Sequence, residues 1–385
     1  MLQQSWAKLA TLFHGDDRRF QARLQDARRR APAPVFWLFG RTQSGKTSIV
    51  KHLTGADDAE IGSGFRPCTR FSREYPFPTP DAPLLTFLDT RGLDEPGYDP
   101  AEDLRKFDDQ AHVVVVTVKV TDHAQENVVR HLATVRAARP ARPVILALTC
   151  LHEAYPQQQH PSPYPFGTTL YPEGLPQDLV RSIAAQHERF KPIVDDVVPI
   201  DLTRPEEGFT DPNFGGPELR ASILNHLPRA YRQTLLTLDS ETHEFRDEAL
   251  RRAMPTIISY STLAAGAGAI PIPFVDLLLL PGIQAKMVSD LAELYGQPLT
   301  AERFWEIASS LGTGVLARQA AREAVKFIPG IGSAAGAALA GAMTFAMGRA
   351  FCQYYRVVRD GHVPDAGALK QLFEAELARA GRFWK

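Results

Sequence analysis

The sequence predicts an α/β domain with a mostly parallel sheet, arranged in three α/β/α layers, followed by an all-α domain. Two observations carry this prediction. From Val35 to Ile200, short apolar runs alternate with longer amphipathic segments, as strands and their covering helices do. After about Arg229 the strand pattern stops, and Ala, Gly and Leu recur at helical spacing. We therefore assign residues 33–230 to the first domain and 231–385 to the second.

The apolar runs define the expected strands of the parallel sheet. These strands are predicted at 35–39, 84–88, 112–118, 144–148 and 197–200. The stretch 71–75 is separated from 84–88 by a proline-rich turn and is expected to form an antiparallel edge hairpin with it. Residues 155–176 are rich in Pro, Gln and Tyr, which predicts a long loop.

The first 32 residues are predicted to form an amphipathic helix that ends at Ala31-Pro32-Ala33-Pro34. Such a helix can pack on one of the domains or lie on a membrane surface. This charged N-terminal segment contains no apolar stretch of the kind found in signal peptides, so secretion is not expected.

Composition excludes several classes of protein. Hydrophobic residues make up 44% of the chain and charged residues 23%, which are values of a globular protein. The formal net charge is −1, so no global field favours nucleic acid or acidic lipid. The 3 cysteines are widely spaced, which indicates a reducing compartment rather than a disulfide framework. We therefore predict a cytoplasmic protein with no specific nucleic-acid partner.

The strongest motif is Gly40-Arg41-Thr42-Gln43-Ser44-Gly45-Lys46-Thr47, which fits G-x-x-x-x-G-K-[ST] without a mismatch. It follows an apolar strand and opens an amphipathic helix, the context that a phosphate-binding loop (P-loop) requires. In such a loop backbone N–H groups approach the phosphates, Lys46 reaches the outer phosphates, and the Thr47 hydroxyl binds Mg²⁺. The residues predicted to bind the nucleotide phosphates are Gly40, Gln43, Ser44, Gly45, Lys46, Thr47 and Ser48.

A second motif, Asp89-Thr90-Arg91-Gly92, ends the apolar run at 84–88. Asp89 can hold Mg²⁺ through water, and the Gly92 N–H can reach the terminal phosphate. Between the two motifs, residues 62–69 are predicted to form a loop whose Thr69 closes on the metal when the γ-phosphate is present. The predicted metal ligands are thus Thr47, Thr69 and Asp89, and the predicted catalytic residues are Lys46, Thr69 and Gly92.

Taken in order, the segment 40–47, Thr69 and the segment 89–92 resemble the Era-like, translation-factor-related class of GTPases. The C-terminal half contains Pro271-Ile272-Pro273-Phe274-Val275-Asp276 and later Leu294-Tyr295-Gly296, and it is similar to the bacterial domain of unknown function 697. The resemblance covers nearly the whole chain. It implies a P-loop GTPase (G) domain that binds GTP or GDP with Mg²⁺, followed by a helical domain.

Base recognition departs from this class. Where the class carries N-K-x-D, whose aspartate accepts both guanine N–H donors, this chain has Thr149-Cys150-Leu151-His152, followed by Glu153. A neutral histidine cannot supply the paired acceptors of a carboxylate. Glu153 and Asp201, the latter in the loop that usually reads S-A-K, are two candidates for the guanine reader. Specificity for guanine or adenine stays open at this stage.

Hydrolysis is expected to be slow, because Leu93 stands where Ras-type enzymes carry the glutamine that orients water. A partner, a second subunit or Gln43 could assist. We therefore predict a Mg²⁺-dependent GTP-binding protein, a slow GTPase that acts as a molecular switch. A nucleotide-binding scaffold with little hydrolysis and a P-loop ATPase are the alternatives.

The predicted helical domain contains two apolar blocks, 254–287 and 324–351, each with a Pro-centred turn. The first block is long enough to span a bilayer, but Pro271 and Pro273 are expected to divide it into two short helices. A soluble bundle and a membrane-associating hairpin both fit this pattern. The expected partners are a guanine nucleotide, a membrane surface or protein effector, and a second copy of the chain. Peripheral association with the inner membrane follows from the hairpin alternative.

Overall fold

Most of the chain is described by the computed structural model. The described residues are 33–56, 61, 66–67, 72–90, 100–107, 110–155, 159–228, 231, 248–269, 276–297, 332–359 and 365–380. The predicted N-terminal helix, Thr69, Gly92 and Leu93 lie outside these residues. The chain divides into two compact units, one formed by Pro34–Leu235 and one that contains Leu236–Lys385.

The first unit is built on a mostly parallel sheet, as predicted. Its strands run in the order β2-β3-β4-β1-β5-β6-β7. Strand β1 pairs in parallel with β4 and β5, and parallel pairing continues through β6 to β7, whereas β3 is antiparallel to β4. The strands are β1 (Val35–Gly40), β2 (Arg66–Pro67), β3 (Ser72–Pro78), β4 (Pro83–Thr90), β5 (Val113–Lys119), β6 (Val144–Thr149) and β7 (Asp196–Pro199).

Helices and short elements complete this unit. The helices are α1 (Lys46–Thr54), α2 (Pro100–Phe107), α3 (Glu126–Ala138), α4 (Gln177–Phe190) and α5 (Gly216–His226). Two short strands, β8 (Asp201–Leu202) and β9 (Asn213–Phe214), pair antiparallel to each other. Two 3₁₀ turns lie at Leu151–Ala154 and Pro205–Glu207.

The central strands are buried on both faces, which explains their continuous apolar sequences. Trp37 and Phe39 in β1 are both 0% exposed, as is every residue from Val113 to Val116 in β5. The indole N–H of Trp37 donates to the Thr90 hydroxyl at 2.6 Å, so the polar atom of this buried ring is satisfied. The core therefore fixes the carboxyl ends of β1, β4, β5 and β6 side by side.

The predicted hairpin at the sheet edge differs in one respect. Strand β3 pairs antiparallel with β4 as expected, but β2 pairs with the other side of β3 and is the outer strand. Because a two-residue strand that contains a proline shows no alternation of apolar and polar residues, β2 could not be predicted from the sequence. The described part of 155–176 contains neither helix nor strand, in agreement with the predicted loop.

The second unit is helical in its described residues, as the composition predicted. Its helices are α6 (Glu248–Gly268), α7 (Asp276–Leu294), α8 (Gly332–Arg359) and α9 (Ala366–Ala380). A Cβ added at Gly268 would lie 2.7 Å from the Gly336 carbonyl oxygen, so small residues let α6 and α8 approach closely. Arg349 pairs with the buried Glu376 at 2.9 Å, and this ion pair joins α8 to α9.

The prolines of this unit have different effects. Helix α6 ends at Gly268 and α7 begins at Asp276, so the helical path stops on either side of the segment that contains Pro271 and Pro273, which lies outside the described residues. Pro281 and Pro255 instead lie inside helices, whose packing offsets the lost backbone hydrogen bond. Among the described residues, no helix combines the length and apolarity needed to cross a membrane.

Candidate functional site

A cavity of about 470 Å³ lies where the parallel strands β1, β4, β5 and β6 end. Ligands of open α/β sheets bind at this edge, and the volume is that of a small-molecule site. The lining residues are Thr42, Gln43, Gly45, Lys46, Thr47, Ser48, Asp89, Lys119, Thr149, Cys150, His152, Glu153, Ile200, Asp201, Leu202, Thr203 and Glu207.

One end of the cavity is formed by the loop between β1 and α1. Gly45 has φ 93° and Gln43 has φ 61°, so the loop turns through left-handed conformations before the helix begins at Lys46. Gly45 provides no side-chain cap to α1. The first-turn N–H groups of a helix have no intrahelical partner, and they carry the positive end of its dipole. This end of the cavity therefore favours an anion.

Gly40 and Ser44 contact Thr117 of β5 and so support the loop. A Cβ at Gly40 would lie 2.5 Å from the Thr117 carbonyl oxygen and 2.7 Å from Ser44 Oγ. Ser44 is only 3% exposed, and its hydroxyl bonds the Arg41 carbonyl at 2.7 Å and the Thr117 hydroxyl at 2.6 Å. Both residues were predicted to bind phosphate. The structure places them behind the cavity wall, where they shape the loop.

Lys46 and Asp89 bring opposite charges to the same end of the cavity. Lys46 Nζ donates to the carbonyl oxygens of Gly40 and Arg41, each at 2.8 Å, and lies 3.8 Å from Asp89 Oδ1. Thr47 and Ser48 also line the cavity, so a hydroxyl and a carboxylate accompany the lysine. Hard oxygen ligands of this kind suit Mg²⁺, and the lysine with the helix N-terminus suits phosphate. The residues present therefore fit a Mg²⁺–nucleotide.

A hydroxyl connects the phosphate loop to the other end of the cavity. Thr149, the last residue of β6, donates from Oγ1 to the Ser44 carbonyl at 3.0 Å, and the bond is buried. Its methyl group also lies against Gly45, where an added Cβ would be 3.2 Å from Thr149 Cγ2. Thr149 thereby fixes the position of the loop relative to the strand that leads to His152.

Both carboxylate oxygens of Asp201 contact His152. The His152 backbone N–H donates to Asp201 Oδ2 at 2.6 Å, and His152 Nδ1 lies 2.9 Å from both carboxylate oxygens. The Asp201 side chain is 2% exposed, whereas that of His152 is 31% exposed. Burial raises the pKa of Asp201, and the contacts with His152 oppose that rise. Asp201 was one predicted guanine reader, and it acts here as the partner of His152.

Glu153, the other predicted guanine reader, also has both oxygens engaged. It accepts hydrogen bonds from Lys119 Nζ at 2.8 Å and from the Thr121 hydroxyl at 2.7 Å. Burial opposes its ionisation, but the bonds from Lys119 and Thr121 outweigh burial, and the pKa of Glu153 is lowered. The carboxylate lines the cavity as an anion already paired with a lysine.

Behind the His152–Asp201 pair lies a buried aromatic stack. The His160 ring is stacked between Phe209 and Phe214, with centroids 4.7 and 4.5 Å away, and its Nδ1 is 4.0 Å from Asp201 Oδ2. Burial lowers the pKa of His160, and the charge of Asp201 opposes that effect. The stack therefore contacts both members of the pair, Asp201 through His160 and the His152 ring through Phe209.

Sequence reasoning identified the phosphate loop but missed several residues of the cavity wall. Lys119, Thr203 and Glu207 line it, and Thr117 supports Gly40 from β5. Lys119 could have been found, because it ends a strand adjacent to β6 and side chains at the carboxyl edge of a parallel sheet converge. Thr203 lies in an irregular segment and Glu207 ends a short 3₁₀ turn, and the sequence offers no comparable signal for either.

Comparison with known families places this fold and cavity in a class. Residues 35–150 match the family described as 50S ribosome-binding GTPase, and residues 233–380 match a domain of unknown function, DUF697. The chain therefore carries a GTP-binding domain of the P-loop GTPase family followed by a DUF697 domain. The predicted fold class is confirmed.

A relative refines this class. The chain is 33% identical over 138 residues to the magnetosome membrane protein 22 of Magnetospirillum gryphiswaldense, a match that covers 33% of this chain and 71% of the relative. Over that third of its length, the chain belongs to the family of this magnetosome protein.

Solved structures include several GTP-binding proteins that resemble the chain distantly. The G domain of the T. maritima FeoB iron transporter is 17% identical with a TM-score of 0.28, and the match covers 50% of this chain and 98% of that one. A GDP complex of an ADP-ribosylation-factor-like GTP-binding protein from Encephalitozoon cuniculi is 14% identical with a TM-score of 0.31, covering 63% and 96%. A bacterial selenocysteine-specific elongation factor is 18% identical with a TM-score of 0.30, covering 50% and 28%.

Proposed function

We propose that this protein is a Mg²⁺-dependent switch that binds GTP, hydrolyses it slowly, and couples its nucleotide state to the helical domain. The observation that carries the proposal is the meeting of Lys46, Asp89 and the N-terminus of α1 in one cavity. This combination supplies phosphate-binding and metal-binding groups within one small site. Membership of the Era-like class is part of the same proposal.

The roles of the residues follow from their positions. Thr47 and Asp89 hold Mg²⁺, which when bound neutralises charge on the β- and γ-phosphates. Lys46 exchanges its two carbonyl partners, Gly40 and Arg41, for phosphate oxygens. Gln43 and Ser48 line the same end of the cavity and add polar contacts. Thr69 and Gly92 stay predicted ligands of the metal and the terminal phosphate.

Slow hydrolysis is proposed because Leu93 cannot orient a water molecule. Gln43 is the amide side chain at the phosphate end of the cavity wall, and its φ of 61° is unusual for a residue with a side chain. Gln43 is therefore our candidate for assisting the attacking water. A second copy of the chain or a protein effector is the alternative source of that group.

The helical domain is proposed to bind a membrane surface peripherally or to bind a protein effector. The relative that is 33% identical over 138 residues is named a membrane protein, which motivates the first partner. The close approach of α6 and α8 through small residues is compatible with either partner.

Nucleotide identity tests the first part of the proposal. Fluorescent GTP and ATP analogues are titrated against the full chain with Mg²⁺, and each is competed with unlabelled GDP and ADP. We expect GDP to displace both analogues and EDTA to weaken binding. Binding of neither analogue would remove the switch hypothesis, and displacement by ADP alone would favour the ATPase alternative.

Hydrolysis and membrane binding are tested separately. Single-turnover hydrolysis of GTP is measured with and without vesicles of phosphatidylglycerol and phosphatidylethanolamine, and vesicle flotation is compared for the GDP state and a non-hydrolysable GTP state. A switch predicts measurable hydrolysis and different flotation in the two states. No hydrolysis together with identical flotation favours the scaffold alternative.

A further inference from the structure

The base end of the cavity, meaning the part of the wall beyond Thr149, contains the carboxylates of Glu153, Asp201 and Glu207, and each oxygen of the first two already has a partner. Asp201 is contacted by the backbone N–H and by Nδ1 of His152, and Glu153 accepts from Lys119 and Thr121. A carboxylate that read guanine in the usual way would need both oxygens for the base. The Asp201 side chain is 2% exposed and is therefore not accessible to a base, whereas Glu153 and the exposed Glu207 retain lone pairs and are rival readers in the test below.

His152 is differently placed. Its Nδ1 faces Asp201, and its side chain is 31% exposed and lines the cavity. When Asp201 is ionised, both of its oxygens can only accept, so the contacts at 2.9 Å assign the ring proton of His152 to Nδ1. In the neutral ring, Nε2 then holds a lone pair. A carboxylate that fixes a histidine tautomer in this way also fixes the orientation of the ring.

We propose that His152 reads the nucleotide base through Nε2 as a single acceptor and that Asp201 is its positioning residue. This inference rests on the proposed function, namely that a nucleotide occupies this cavity. The stacked pair of His160 and Phe209 supports the arrangement, since His160 lies against Asp201 and Phe209 contacts the His152 ring.

With Nε2 of His152 as a single acceptor, we expect an unusual specificity for the nucleotide base. The edge of guanine offers two neighbouring donors, the ring N1–H and the 2-amino group, and a carboxylate accepts both. A single Nε2 lone pair accepts one. Hypoxanthine retains N1–H but lacks the 2-amino group, so guanine and hypoxanthine nucleotides present the same donor to His152. We expect GDP and IDP to bind this protein with affinities within about threefold of each other, since no second bond distinguishes them.

The test measures the affinity ratio of GDP to IDP by competition against a fluorescent GDP analogue with Mg²⁺. The double variant His152→Asp with Asp201→Asn restores a carboxylate at position 152 and places an amide at position 201 that can hold it. This variant should prefer GDP over IDP by about tenfold, because the second base donor regains an acceptor. The variant His152→Ala should weaken GDP and IDP equally, and this single substitution decides the question if the double variant does not fold.

One control and two tests of rival groups isolate His152. The control His187→Ala removes a histidine that bonds the Tyr171 hydroxyl and does not line the cavity, and it should leave the ratio unchanged. Glu153→Gln and Glu207→Gln test the rival carboxylates of the cavity wall, and neither should change the ratio when His152 reads the base. The positioning role of Asp201 is read by nitrogen NMR of the histidine rings, because Asp201→Asn should reduce the population of the Nδ1–H tautomer at His152.

The outcomes distinguish a failure of the inference about His152 from a failure of the proposed function. Near-equal binding of GDP and IDP by the wild type, with a preference created by the double variant, supports the inference. A wild type that binds GDP more than about threefold better than IDP, a ratio that changes with Glu153→Gln or Glu207→Gln, or unchanged affinities in His152→Ala would each overturn it while leaving the proposed function standing. A wild type that binds no nucleotide overturns the proposed function itself.

Discussion

At the phosphate end of the cavity, most of the groups that face a ligand come from one continuous segment, 42–48, whereas the base end is assembled from the separated segments 119–121, 149–153 and 200–207. The first end depends on backbone N–H groups and one lysine, and a strand–loop–helix unit supplies them locally. The second depends on side chains that meet only when β5, β6 and β8 are in place. Under the proposed function, phosphate binding would depend on local sequence, whereas base recognition would depend on the packing of separate strands.

The two ends of the cavity also differ in the charges that they offer to a ligand. At the phosphate end, Lys46 and the helix N-terminus provide positive charge for an anion, with Asp89 nearby for a cation. At the base end, Glu153 is paired with Lys119 and Asp201 with His152, and Glu207 adds an exposed carboxylate. Substitutions at the first end should therefore remove binding, and those at the second should change selectivity.

The largest effect is expected for Lys46→Ala. Loss of one charge-assisted hydrogen bond to phosphate costs about 2–3 kcal/mol, which is about 30- to 150-fold in affinity for GDP and GTP alike. Isothermal titration with Mg²⁺ measures it. Lys51→Ala, on the same helix but outside the cavity, is the matched control and should bind normally. Equal binding by both variants would show that the phosphates do not lie at Lys46.

Gly40→Ala should be the next most damaging change. The new methyl would lie 2.5 Å from the Thr117 carbonyl oxygen, so the phosphate loop must shift away from β5. Overpacking of this kind costs about 1–3 kcal/mol in the free energy of unfolding. Urea denaturation followed by tryptophan fluorescence measures the loss. Gly167→Ala meets no atom within 4 Å and serves as the control. A variant as stable as wild type would contradict the packing at Gly40.

Thr149→Val tests the bond that joins the two ends. The substitution keeps the shape of the side chain but removes the hydroxyl that donates to the Ser44 carbonyl at 3.0 Å. A buried bond of this type is worth about 1 kcal/mol, so GDP affinity should fall by about fivefold. Thr149→Ser retains the donor and should bind nearly as wild type in the same competition titration. If serine is no better than valine, the methyl group rather than the bond positions the loop.

The smallest effect concerns His112. This residue directly precedes β5 and therefore lies at the amino ends of the parallel strands, the edge of the sheet opposite the cavity. His112 Nδ1 accepts the Val35 N–H at 3.0 Å, and Nε2 bonds the Tyr231 hydroxyl at 2.7 Å. Burial lowers the pKa of His112 below its usual 6.5, helped by the charges of Arg139 and Arg142. The unfolded chain therefore binds a proton more readily, and the free energy of unfolding should fall as pH drops below about 6.5.

His112→Asn retains an acceptor for Val35 but does not titrate, so its stability should depend less on pH than that of wild type. Urea unfolding between pH 5 and pH 8, about the range of the histidine transition, measures this slope. Tyr231→Phe is the control, because it loses one hydrogen bond yet keeps the titrating ring. An unchanged slope in His112→Asn would show that other histidines dominate the pH dependence.

The structure brings predicted residues together where neighbours in the chain are neighbours in the cavity wall. Most of the segment 42–48 lines the cavity, because these residues follow one another directly after a buried strand. Asp89 lines it as well, near the end of another apolar strand. The roles of these residues toward a nucleotide stay predictions. Gly40 and Ser44 belong to the motif at 40–47, yet their roles beneath the loop depend on Thr117, which lies 73 positions from Ser44.

The sequence by itself determined the sheet, the phosphate loop and the change to a helical second domain, because hydrophobic periodicity and the conformational freedom of glycine act over a few residues. Only the tertiary structure decided which groups face the base. His152 and Asp201 are 49 positions apart, and Thr149 and Ser44 are 105 apart, so each pair forms when packing brings separate strands together. Hydrogen bonds reach only about 3 Å, and whether a carboxylate faces a ligand or a neighbouring side chain depends on that final packing.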